Sequence, residues 1–134
     1  MRPIRVLVAI LGLDPQEAGA IAVARLLRDA GMEVIYLGCS NGPTDLLEAA
    51  VEEGVDVIGL SCHSWENLHS LDSLLALLRQ QDLDIPAVVV GSVVPTGDAR
   101  TIAEKGVAAV LGPTSDADQI VETIQRLAAS RRDR

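Results

Sequence analysis

Aromatic residues are nearly missing from this chain of 134 residues, which has no phenylalanine, one tyrosine (Tyr36) and one tryptophan (Trp65). A core without rings must be aliphatic, and with 49% hydrophobic residues the chain has ample Val, Leu, Ile and Ala to build one. That composition is usual for layered α/β proteins. Cysteine is just as sparse. Cys39 and Cys62 are too few for a disulfide framework, and no His/Cys/carboxylate cluster has zinc or iron spacing. The 11 basic residues are outnumbered by 19 acidic ones, giving a net charge of -8. Nucleic acid and anionic membranes call for a basic face, so neither is expected as a partner. The one basic cluster, Arg131, Arg132 and Arg134, reads as a solvated tail over 131–134, following a single domain over 1–130. No apolar run approaches the roughly 18 residues that mark a membrane span, and no signal-like segment is evident. A cytoplasmic protein is expected.

What is present is organised around Val6 to Gly19. Val6–Leu11 is a continuous apolar run rich in β-branched residues, the pattern of a parallel strand covered on both faces. Gly12 permits a tight exit. Asp14 precedes Pro15, which fits a helix N-cap followed by proline at the first helical position. Glu17 then takes the third place of a capping box. The following helix, over 15–30, is expected to turn Ala18, Ile21, Ala22, Leu26 and Leu27 inward.

The pattern then repeats. Strands are expected at Glu33–Leu37, Val55–Ser61, Ala87–Gly91 and Ala108–Leu111. A turn over Gly38–Pro43 leads to a helix begun by Asn41 or Thr44 and running through Glu53. A further helix ends near Gln80, and two more cover Gly97–Lys105 and Asp116–Ala129. Five strands alternating with five helices predict a doubly wound parallel sheet with helices on both faces, and the length favours the flavodoxin-like order 2-1-3-4-5. In that order the strands ending at Leu11 and Ser61 flank the switch point, where open α/β sheets bind ligands.

Four loops would then share one rim: Gly12–Gly19, Ser61–Ser64, Gly91–Pro95 and Gly112–Ser115. Glycine at a strand end lets a flat or bulky ligand approach the backbone, although turn chemistry alone also selects glycine and serine. Cys62 reads as a small, partly buried residue rather than a nucleophile, since no relay adjoins it in sequence. Trp65 either covers the crevice or anchors its own loop.

The chain from Arg5 to about Ala129 resembles the cobalamin-binding domain found at the C-terminus, or in the small subunit, of methylmalonyl-CoA mutase and related acyl-CoA mutases. That family carries Asp-x-His-x-x-Gly in the first loop, Ser-x-Leu after the third strand and Gly-Gly after the fourth. Here Asp14 and Gly19 match, but Gln16 stands in the histidine's place. Ser61 matches, with His63 where the family has leucine; Gly91 matches, followed by Ser92; and Gly112-Pro113-Thr114 is similar to the last loop less one glycine. The resemblance implies a cobalamin site bordered by Gly12, Asp14, Gln16, Gly19, Ser61, His63, Gly91, Ser92, Gly112 and Thr114.

In the family the histidine binds cobalt and the aspartate fixes its tautomer. A glutamine amide is a poor cobalt donor, because its nitrogen lone pair is delocalised. Asp14 is then sufficiently explained as a helix cap. His63 is a minor candidate for the metal, at a position the family uses to pack the nucleotide tail. The resemblance further implies a cofactor carrier, with no catalytic residues of its own, that serves a larger acyl-CoA mutase subunit. Either that subunit or a second copy of the chain would cover the rim. The alternative is a degenerate module of the same fold that lacks histidine ligation and acts as a regulatory or partner-binding protein.

Overall fold

The computed structural model describes residues 3–11, 18–61, 67–90, 106–111 and 116–132. Within these the chain runs β1 (Arg5–Leu11), α1 (Ala18–Asp29), β2 (Glu33–Asn41), α2 (Pro43–Glu53), β3 (Val57–Ser61), α3 (Asn67–Gln80), β4 (Ala87–Val90), β5 (Ala109–Leu111) and α4 (Ala117–Arg132). All the strand pairs are parallel, in the order β2-β1-β3-β4-β5, as expected. The helix expected over Gly97–Lys105 lies outside the described residues.

The apolar run of β1 divides between two faces, because successive side chains on a strand point to opposite sides. Leu7 and Ala9 join Leu46, Leu47 and Ala50 of α2 and Leu71, Leu74, Leu75 and Leu78 of α3. Val6, Val8 and Ile10 join Ala20 and Leu27 of α1 and Ile120, Ile124 and Ala128 of α4. Full burial of one such aliphatic side chain is worth about 1.5–3 kcal/mol, at least twice the roughly 0.7 kcal/mol that separates ordinary residues in helix propensity. Packing on both faces of the sheet therefore outweighs local preference.

Several boundaries differ from expectation, each for a local reason. β2 continues past Gly38 to Asn41, through a φ of +74° at Gly38 and register irregularities between Val8 and Ala9 and between Ala9 and Leu11. The glycine accepts the left-handed conformation that lets a bulged strand continue. Asn41 is thus a strand residue. The N-cap of α2 is Gly42, with Pro43 starting the helix and Thr44 already inside it. On α1 the buried stripe is Ala20 and Leu27, with Val23 and Ala24 partly covered, while Ile21 and Ala22 are exposed. The helix uses the i, i+3, i+4, i+7 set beginning at Ala20.

α4 extends to Arg132 rather than ending at Ala129. Its start is fixed by a reciprocal cap, in which Gln119 N–H donates to Asp116 Oδ1 at 2.8 Å and Asp116 N–H to Gln119 Oε1 at 2.9 Å. Its end is held by Arg131, whose Nη1 lies 3.6 Å from Asp56 Oδ1 and whose Nε lies 3.4 Å from Asp84 Oδ1. Arg131 therefore belongs to an ionic network and not to a solvated end. Asp56 is fully buried and also accepts the Arg5 backbone N–H at 3.0 Å. Arg5 in turn meets Glu33 at 2.9 Å and Glu53 at 3.4 Å. This charged cluster sits where the strands begin, leaving the opposite edge of the sheet free of it.

Candidate functional site

The strand register builds the rim. Ile10 pairs with Ser61, Ser61 with Val90 and Val90 with Leu111, so one row of paired residues crosses four strands at their carboxyl ends. Leu11, one residue further along, pairs with Asn41. The segments beginning at Gly12, Cys62, Gly91 and Gly112 therefore all leave the sheet from one line. Parallel pairing forces this, since every strand starts at the same edge of the sheet.

Of the residues expected at the site, Ser61 and Gly19 are described. Ser61 ends β3 and is buried, at 6% exposure. Gly19 lies in the first turn of α1 and is exposed. Gly12, Asp14, Gln16, His63, Gly91, Ser92, Gly112 and Thr114 fall outside the described residues, as do Cys62 and Trp65. The register nevertheless fixes where their segments start.

Gly59 was not singled out from the sequence. It precedes Ser61 by one pleat, so the two lie on the face of β3 that α1 and α4 cover, where Val57 belongs to that cluster. The three atoms nearest to a Cβ added at Gly59 all belong to β1: Leu7 O at 3.6 Å, Val8 Cγ2 at 3.9 Å and Val6 Cγ1 at 4.0 Å. A side chain could be started there without a clash, so the packing of β3 on β1 does not by itself require glycine. The readable signal is the Gly-x-Ser spacing, which places both small residues on one face. The extension of β2 to Asn41 was the other rim feature missed, since Gly38 reads as a strand end until its bulge is seen.

No group of three His, Cys, Asp or Glu side chains that could hold a metal occurs among the described residues. No described helix is long and apolar enough to cross a membrane.

The B12 binding domain family matches residues 4–126. The chain belongs to the B12-binding domain family. It is 40% identical over 129 residues to the 2-hydroxyisobutanoyl-CoA mutase small subunit of Aquincola tertiaricarbonis, across 96% of this chain and 95% of that one. It is also 40% identical over 126 residues to the pivalyl-CoA mutase small subunit of Xanthobacter autotrophicus, across 94% and 84%. In fold it is similar to a cobalamin-binding protein from Desulfitobacterium hafniense DCB-2, with a TM-score of 0.81 and 19% identity over 94% of this chain and 60% of that one. Cobalamin is the cofactor of this family, and the fold of the B12-binding chain described here is that of its cobalamin-binding neighbours. Gly59 and buried Ser61 are the small residues on the face of β3 under α1 and α4, which suits close approach of a bulky ligand group at that strand end.

Proposed function

We propose that this chain is the cofactor-carrying small subunit of an acyl-CoA carbon-skeleton mutase and works with a larger catalytic subunit. The observation that carries this reading is the end-to-end correspondence with two mutase small subunits, over 95% and 84% of their lengths. When bound, cobalamin supplies the radical that such a rearrangement needs. The chain holds and presents it. Gly12, Asp14, Gln16, Gly19, Ser61, His63, Gly91, Ser92, Gly112 and Thr114 border the cofactor, and the residues that bind and turn over the acyl-CoA belong to the partner. A cofactor displayed on a rim is useful only when another surface closes over it and keeps water from reactive species. The larger subunit, or a second copy of this chain, supplies that cover in the cytoplasm.

The second reading rests on Gln16. With glutamine in the histidine's place, the first loop provides no imidazole, and Asp14 has none to orient. The first loop would then border a bound cobalamin without ligating its metal. In the extreme, the chain is a degenerate module whose role is regulatory. Titration of the purified protein with cobalamin, followed by absorbance, separates these cases. Saturable binding with no sign of a protein nitrogen on cobalt supports a carrier without histidine ligation. Absence of binding leaves the degenerate module.

A further inference from the structure

α2 and α3 pack side by side on one face of the sheet, and their outer surfaces leave a groove of about 300 Å³ between them. It is lined by Thr44, buried Leu47, Glu48, Val51 and Glu52 of α2, by Leu77 of α3 and by Gln81 just after it, with the two leucines as its apolar part. Val51 is 52% exposed, the highest value among the exposed large hydrophobic side chains described. A single exposed aliphatic residue would need no explanation. This one is continuous with an apolar floor, and it is β-branched at an exposed helical position where alanine or a straight-chain residue would serve folding better.

The charges point the same way. Glu48 and Glu52 are four residues apart, a spacing at which like charges destabilise a helix. Among the described residues neither is in an ion pair, and no cation lines the groove. Three features of one helix face thus weaken the subunit standing alone: an uncovered valine, a like-charge pair and an open apolar floor. A partner with an aliphatic side chain between lysines or arginines would reverse all three.

The groove also starts beside the rim. α2 starts at Pro43, two residues after Asn41, which pairs with Leu11 at the rim. The Thr44 end of the groove therefore opens at the cofactor edge. We infer that a basic, aliphatic helix of the larger mutase subunit docks in the α2–α3 groove, continuing down the side of the domain from the cover it places over the rim. A second copy of this chain is a poorer occupant, since each carries a net charge of -8. The inference rests on the small-subunit reading and adds to it a surface away from the cofactor.

The test uses the full chain loaded with cobalamin and the larger mutase subunit of the same organism as probe, with affinity measured by calorimetry at two salt concentrations. Val51→Ala should leave the melting temperature unchanged or raised, yet weaken association at least tenfold. Glu48→Lys with Glu52→Lys should weaken it at least a hundredfold and flatten the salt dependence. The control makes an equal charge change on the opposite side of the sheet, Asp118→Lys with Glu122→Lys on α4. It should change the affinity less than threefold, and all variants should keep the cobalamin spectrum. If the groove and control variants bind equally well, the docking surface is wrong while the small-subunit reading survives. If the natural chain does not bind the larger subunit at all, that reading falls and the groove proposal falls with it.

Discussion

Arg131 Nη1 lies 3.6 Å from Asp56 Oδ1, joining the last turn of α4 to the residue that leads into β3. Asp56 is fully buried, and on its other side it accepts the Arg5 N–H that opens β1. One carboxylate thus fastens three elements at the edge opposite the rim. Removing one partner of a buried charge pair costs more than the pair itself contributes, because the other charge is left without compensation. Arg131→Ala leaves the fully buried Asp56 carboxylate without this cation and should therefore lower stability by about 3–5 kcal/mol in urea denaturation. Asp56→Ala should cost less, about 1–3 kcal/mol for the Arg5 N–H left without its acceptor, because Arg131 is 25% exposed and keeps Asp84 at 3.4 Å. A larger loss for Asp56→Ala than for Arg131→Ala would contradict this account.

The opposite end of α4 gives a milder effect. The Asp116–Gln119 pair satisfies one backbone N–H at each residue, at 2.8 and 2.9 Å. Asp116→Ala should destabilise by about 1 kcal/mol, while Asp116→Asn should stay within a few tenths of the natural chain. Thermal melts of the two variants compare them directly.

Gly59 is the residue at which binding and stability are expected to part. Glycine in a strand interior is usually the weaker choice, and the space around a new Cβ is ordinary. Gly59→Ala should keep the fold, with stability changed by less than about 1 kcal/mol. Gly59→Val should keep the sheet but occupy the space beside Ser61, weakening cobalamin binding at least tenfold, about 1.4 kcal/mol. Absorbance titration beside circular dichroism resolves the two effects. Unchanged affinity in Gly59→Val would place the ligand elsewhere on the rim.

Gln16→His restores the residue that the family motif carries. Asp14 stands two positions before it in sequence, where the motif places the carboxylate that orients the imidazole. Cobalamin binding should tighten, and the spectrum should shift as a nitrogen ligand from the protein reaches cobalt. His63→Ala should leave the natural protein's spectrum as it was. The reverse pattern, with binding lost in His63→Ala and unaffected by Gln16→His, would assign the metal to His63.

Most of the architecture was legible before any coordinates. An apolar run such as Val6–Leu11 can be satisfied only by cover on both faces, and its alternation with helical stretches leaves the doubly wound sheet as the economical solution. The start of the last helix near Asp116 was also legible, while its reciprocal cap with Gln119 was added by the structure. At the rim, the sequence placed Ser61 at a strand end, which follows from where the apolar run stops.

Other features depended on contacts between distant residues. Asp56 finds its partners 51 positions before it and, in Arg131, far along the chain after it, so nothing near Asp56 or Arg131 in sequence announces the pair. Ile21 reads as a core residue by local period, yet it is 36% exposed because the sheet engages the stripe through Ala20 and Leu27. Gly38 reads as a turn until pairing with β1 carries the strand on to Asn41. Local pattern determined which segments become strands and helices, since that depends on side chains a few residues apart. Which face turns inward, how far a strand runs and which charges meet were decided by the packing of segments remote in sequence, where burial and pairing outweigh local preference.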